Sequence, residues 1–183
     1  MKRVLSLVLA IALVFCFAGC GEKEQEKKQG TLDIEYYAKA GQMPECNYTI
    51  GSDVETLKAE LSAAAQNDEE VVYSITEGGN NVLVENGAFS FYYKKAEQDK
   101  GIGCIVNYGK AYGIETGTVI VEVKEAIAGC EYSEEPLSEE NAFFMFGVND
   151  GTVIKCTADD NTVVFVFQEN ALCATAIYKG DNW

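Results

Sequence analysis

Seven cysteines, 29 carboxylates and no histidine set the chemistry open to this chain of 183 residues. Without imidazole there is no His-based triad, no Cys-His dyad and no His-ligated zinc. The cysteines show no C-x-x-C spacing, which excludes a zinc ribbon and a thioredoxin-type motif. The densest acids are Glu134, Glu135, Glu139 and Glu140, with Asp159 and Asp160. Paired carboxylates can do acid-base work or hold calcium. Here the EF-hand spacing is absent, and acidic loop runs are as a rule solvated surface. Neither an S-x-x-K nucleophile motif nor a G-x-x-x-x-G-K-[ST] phosphate loop occurs. Gly101-x-Gly103 opens a strand pattern rather than a helix, the wrong context for a dinucleotide fingerprint. These patterns point away from an enzyme, a metal site or a cofactor, and none is expected.

Cys20 is a different case. Lys2 and Arg3 precede an uncharged apolar run, Val4 to Phe17, and the small residues Ala18 and Gly19 lead into Cys20. The run is short of the roughly 20 residues a bilayer span needs. A basic, apolar, small-residue sequence is the pattern of a secretory signal. Phe17-Ala18-Gly19-Cys20 resembles the lipobox of bacterial lipoproteins, although that family usually has Leu where this chain has Phe17. The resemblance implies cleavage after residue 19, acylation of the Cys20 thiol, and a partner in the membrane through that lipid anchor. It implies a cell-membrane location facing the extracellular or cell-wall side. The chain as a whole is similar in general character to small lipoproteins of Gram-positive gut bacteria, which implies no activity.

From Gly21 to Gly30 there is no apolar side chain. Such a segment reads as a solvated tether, with an end-to-end distance of roughly 15–20 Å as a flexible coil. Without Lys2 and Arg3, 12 basic residues face 29 acidic ones, a formal charge of −17. That charge repels phosphate backbones and anionic lipid, so no nucleic-acid partner is expected. A hydrophobic content of 48% is enough for a core, and residues 31–183 have the length of one ordinary domain.

Within that domain, the apolar beat Leu32, Ile34, Tyr36 predicts a first strand. Ser52-Asp53-Val54-Glu55 is a capping-box pattern before a helix with the stripe Val54, Leu57, Leu61. Four strands are then expected at Val71–Thr76, Val82–Glu85, Ala88–Lys95 and Ile102–Tyr108, with a hairpin at Asn86-Gly87. Phe89, Phe91 and Tyr93 would share one face. The pattern then restarts. Ile120, Val123 and Ile127 stand 66 residues after Val54, Leu57 and Leu61. Thr118–Val123 taken alone reads as a strand, but the repeated spacing favours a helix. An acidic loop or short helix at Glu134–Asn141 follows. Strands are then expected at Ala142–Val148, Thr152–Thr157, Thr162–Gln168 and Ala171–Tyr178. The expected fold is α+β, a tandem repeat of a helix plus a four-stranded antiparallel meander. Its divisions are a signal peptide (1–19), the lipidated Cys20 and tether (20–30), and two repeats at about 48–112 and 113–183. The arrangement is loosely similar to the tandem fold of secreted β-lactamase inhibitory proteins, whose repeat motif is missing here.

Val164, Val166 and Ile177, with Tyr92, put apolar side chains on a second strand face. Two repeats packed on each other would bury that face. Left open, it would be a binding face for a protein or ligand. The function expected is a membrane-anchored binding module, and the alternative is a structural or accessory cell-envelope protein. Of Cys46, Cys104, Cys130, Cys156 and Cys173, those within strand patterns are expected as buried thiols; one or two disulfides are the alternative. Cys156 and Cys173, two strands apart in the second meander, lie about 9–10 Å from one another, too far for a disulfide.

Overall fold

The structure, a computed structural model, describes residues 33–68, 72–137 and 150–180. Eight strands form one antiparallel sheet: β1 (Ser74–Gly78), β2 (Asn81–Glu85), β3 (Phe89–Lys94), β4 (Cys104–Asn107), β5 (Ser133–Pro136), β6 (Thr152–Ala158), β7 (Asn161–Gln168) and β8 (Ala171–Lys179). Their spatial order is β1-β2-β3-β4-β8-β7-β6-β5. Two runs of four consecutive strands therefore meet edge to edge, with β4 hydrogen-bonded to β8 from Cys104↔Tyr178 to Asn107↔Thr175. A face-to-face packing of two sheets, expected from the doubly apolar strands, does not occur among the described residues. The fold is α+β and mostly sheet.

Helix α1 (Ile34–Lys39) lies where a strand was expected. The beat of Ile34 and Tyr36 is overridden by Asp33, whose carboxylate accepts from Tyr36 N–H at 3.1 Å and caps the first turn. Ile34 and Ala38, four apart, then face the core, while Tyr36 stays exposed. Helix α2 (Val54–Asn67) buries Val54, Leu57 and Leu61 as their spacing predicts. Its cap is one residue later than expected. Asp53 accepts from both Thr56 N–H and Thr56 Oγ1 at 2.7 Å. Ser52 Oγ instead accepts from Thr49 N–H at 2.9 Å, and Glu55 pairs with Lys58 at 3.1 Å. Helix α3 (Ile120–Ala126) settles the ambiguity of Thr118–Val123 in favour of the helix, with Val123 and Ile127 buried.

Strand β1 begins three residues later than expected, and Val72 is solvent-exposed. The acidic Glu134–Asn141 region supplies edge strand β5 at its start. The expected strand Ala142–Val148, with Glu139 and Glu140, lies outside the described residues. The β7–β8 hairpin turns through Glu169 and Asn170, both at positive φ (50° and 68°), a primed two-residue turn that suits the strand twist.

All three α-helices among the described residues pack on the first face. Val54, Leu57, Val82, Phe91, Tyr93, Ile105, Val123, Ile127, Cys156, Phe165 and Ile177 belong to one continuous core. Phe89, Phe91 and Tyr93 share this face as expected, Phe89 at its margin. Helix α1 crosses to β6 and β7, where Asn161 Nδ2 donates to the Ala38 carbonyl at 2.9 Å. Helix α2 sits towards β3, with Lys58 Nζ 5.0 Å from the centre of the Tyr93 ring. Gly101 lets this helix approach. At φ +77° its Cα faces the Gly51 carbonyl so closely that a Cβ would stand 2.4 Å from that oxygen.

One core shared by strands of both four-strand runs makes the two halves fail together. Leu57→Asp and Val123→Asp each place an unpaired carboxylate where no surface is exposed, at a cost of about 3–5 kcal/mol, against a total stability of about 5–15 kcal/mol. Urea titrations followed by circular dichroism should show each variant losing all structure in a single transition at a much lower midpoint. Two separate transitions, or a near-wild-type midpoint for Val123→Asp, would contradict this.

Candidate functional site

Strand alternation sends every second side chain to the sheet face opposite the helices. One register row crosses all eight strands on that second face: Ser74, Glu85, Ser90, Val106, Ala176, Val164, Lys155, Ser133. It is polar at both ends and apolar in the middle. A neighbouring row carries Leu83, Tyr92, Cys104, Tyr178 and Thr162. Val166 lies between Ala174 and Val153 in a third row. The middle is built on small side chains, Ala174 and Ala176 of β8, and is buried together with Tyr92, Val106, Val153, Val164, Val166 and Tyr178.

Three of the four residues expected to form a binding face are therefore together. Tyr92, Val164 and Val166 share the second face, and all three are buried. Ile177 is not with them. Its cross-strand partners are Ile105 and Val163, and it packs in the helix-covered core. The register explains the error: Val164 faces Ala176, so the next residue, Ile177, must point the other way.

A polar-aromatic rim borders the apolar floor along β1–β4. The Glu85 carboxylate accepts from Ser74 Oγ at 3.0 Å and from Ser90 Oγ at 3.4 Å. Tyr108, two residues beyond Val106 and so on the same face, is hydrogen-bonded to Ser90 and Tyr92. Burial is the first cause that raises the Tyr92 and Tyr108 phenols above their ordinary values, so both are neutral at physiological pH. Tyr108 keeps 37% of its surface exposed and is the accessible edge of this group. The opposite rim is an ion pair between Lys155 and Glu135. Sequence alternation around Tyr92 would have placed Ser90 on this face, but nothing in the sequence joins Glu85 or Tyr108 to it, because their meeting depends on register.

Two of the thiols adjoin this group, Cys104 in the row of Tyr92 and Tyr178 and Cys173 against the second-face cluster. Cys46, Cys104, Cys130, Cys156 and Cys173 carry no disulfide. Cys156 lies in the helix-covered core, whereas Cys173 packs against the second-face cluster, so the sheet itself separates this pair. Cys173 sits at an irregularity of the β7–β8 ladder between Val166 and Phe167, and its Sγ donates to the Val166 carbonyl at 3.2 Å. Burial pushes Cys46 up to about 11, against the opposing Tyr48 N–H, and Cys156 up to about 12. Burial also raises Cys104 and Cys173. A protonated thiol is a poor nucleophile. The acids are similarly occupied. Glu134 pairs with Lys124 at 2.6 Å and Glu135 with Lys155. Among the described residues no group of three or more His, Cys, Asp and Glu side chains is arranged to hold a metal ion, and no helix is long and apolar enough to cross a membrane.

Raised thiol pKa values tie stability to pH. In the unfolded chain a thiol ionises near 8.5, whereas in the fold it stays protonated well above that. The unfolded state therefore loses protons first, and the stabilisation, complete below about pH 8, falls as pH rises. Each of the buried thiols Cys46, Cys104 and Cys156 should cost roughly 1 kcal/mol between pH 8 and 9.5. Urea midpoints measured across that interval should fall steadily, and Cys104→Ala should flatten the slope by about a third. A midpoint independent of pH would show that these thiols ionise alike in both states.

Comparisons with protein-family models, with curated proteins and with solved structures each return no match to this chain.

Proposed function

We propose that this chain is a membrane-anchored extracytoplasmic lipoprotein whose domain is a protein- or ligand-binding module. The observation that carries the reading is Phe17-Ala18-Gly19-Cys20, placed between an apolar run and a ten-residue segment without an apolar side chain. A thiol in that setting is suited to acylation, and two or more acyl chains give a stable anchor where one does not. The domain is a helix plus four-strand unit present twice, at about 48–112 and 113–183. The 66-residue offset between the stripes of α2 and α3 supports this, as does the meeting of two four-strand runs at their last strands, β4 and β8.

Recognition rather than covalent chemistry is favoured by the state of the side chains. Burial holds Cys46 and Cys156 protonated, and the acids of β5 are held in ion pairs with Lys124 and Lys155. The contact region is the rim formed by Tyr108, Glu85, Ser74 and Ser90. There a neutral, half-open phenol adjoins a carboxylate, a combination that offers both an apolar surface and hydrogen-bonding groups.

Cys20→Ala should move the protein from the detergent phase to the aqueous phase in detergent phase separation, or leave the precursor unprocessed. Partition equal to that of the wild type would remove the anchor. Tyr108→Ala removes a mostly buried, hydrogen-bonded ring at the sheet margin and should lower the melting midpoint by several degrees while the domain stays folded at about 25 °C by circular dichroism. It should nevertheless lose at least tenfold in affinity for any envelope component that the wild-type domain retains in stoichiometric amount. Equal retention by both proteins would exclude this rim as the contact region.

A further inference from the structure

Of the five described cysteines, Cys130 occupies a distinct position. It follows α3 on a turn whose Cys130 N–H donates to the Ile127 carbonyl at 2.8 Å, and it is half-buried against the helix-covered core. Cys156 belongs to that same core from the strand side. The β5–β6 ladder brings the two towards each other. Ser133 lies opposite Lys155 as the last pair of the ladder, and continuing that register past its end would set Tyr132 opposite Cys156. Cys130 is two residues beyond Tyr132, and in an extended chain residues two apart share a face. A thiol diagonal to its cross-strand neighbour has its Cα roughly 7–8 Å away, with Cβ atoms closer, just beyond disulfide geometry. Gly129, just before Cys130, has no neighbouring atom within 4 Å of where a Cβ would stand, so the turn is not packed against another segment there. The two sulfurs also feel each other electrostatically: after burial, Cys130 is the second cause that disfavours ionisation of Cys156. Cys173 and Cys104 pack with the second-face cluster, across the sheet from this pair.

We propose that Cys130 and Cys156 are a redox-active pair that closes into a reversible intramolecular disulfide, fastening the turn after α3 to β6. The oxidant is a small disulfide of the glutathione class. Cys130, the more exposed thiol, attacks first as its thiolate. Its sulfur bonds to one sulfur of the small disulfide, that S–S bond breaks, and one small thiolate leaves. Cys156 then gives its proton to solvent and its sulfur displaces the second small thiolate from Cys130. Two protein thiols are oxidised to one disulfide while one small disulfide is reduced to two thiols. The second step is the slower one at neutral pH, because Cys156 is held protonated in the core.

The test uses the full chain, reduced and then incubated with oxidised glutathione at pH 8.5. The remaining thiols are alkylated in denaturant, and the protein is digested with trypsin and Glu-C. Cleavage after Glu131, Lys155 and Glu169 puts Cys130, Cys156 and Cys173 on three separate peptides. The expected product is a 130–156 crosslink that persists in Cys173→Ser and is lost in Cys130→Ser. It should raise the melting midpoint by about 5–10 °C, reversibly with dithiothreitol. Cys156→Ala should trap glutathione on Cys130, and this variant separates loss of the pair from loss of the fold. A wild-type product with glutathione on Cys130 and an alkylated Cys156 overturns the proposal. So does a crosslink through any other cysteine, or no oxidation at all.

Discussion

The pairing of β4 with β8 is the constraint on which the rest of this structure depends. β4 has four residues, Cys104 to Asn107, and all are buried. It lies between β3 and β8, so its backbone groups are satisfied only if both neighbours are in place. A buried amide or carbonyl left without a partner costs about as much as a lost hydrogen bond. Separating the two four-strand runs would expose that ladder and split both faces at once. On one face it would part Ile105 from Ile177, and on the other Val106 from Ala176 and Cys104 from Tyr178. The two runs are therefore one folding unit, although the chain forms them from separate segments.

A second tie fixes the segment that leaves this seam. Tyr112 follows β4 at φ +54°, a left-handed conformation unfavourable for a bulky residue. It is fully buried, its hydroxyl donates to the Gln42 carbonyl at 3.0 Å, and its ring meets Tyr37 and Phe165 edge-on at 6.4 Å. Such strain persists where the surroundings over-determine the conformation. One side chain thus joins the α1 loop to strand β7. That junction explains how α1, which precedes the first half of the sheet in sequence, comes to lie over β6 and β7 of the second.

The legible parts of the fold were those with a strong local period. The stripes of α2 and α3, the alternation of Phe89, Phe91 and Tyr93, and the turns at Asp159-Asp160 and Glu169-Asn170 follow from residue spacing alone. Three features did not. Helix α1 depended on a cap at Asp33, which outweighed an apolar beat of only three residues. Strand β5 is Ser-Glu-Glu-Pro, with no apolar alternation, because an edge strand needs none and is protected by charge and proline. The second-face group depended on register, which decides whether Ile177 joins Val164 or opposes it. Sequence identifies the residues able to line a sheet face, but only pairing assigns them to the same one.

The distribution of charge separates what holds the fold from what faces its surroundings. The described ion pairs, Lys39–Glu35, Lys58–Glu55, Lys95–Glu77, Lys100–Glu97, Lys124–Glu134 and Lys155–Glu135, all involve exposed or half-exposed side chains. Such pairs contribute about 0–1 kcal/mol each, so the acidic excess does not underwrite stability. It acts on the environment instead. A strongly acidic domain is repelled by an anionic lipid surface, but at physiological ionic strength that repulsion fades over about 8 Å. The proposed tether spans roughly 15–20 Å as a coil, longer than the screening distance. An anchored domain would thus stand clear of the membrane field whatever its orientation. Its reach would be set by tether length, and its choice of partner by groups that act at contact range, such as the phenol of Tyr108 and the carboxylate of Glu85.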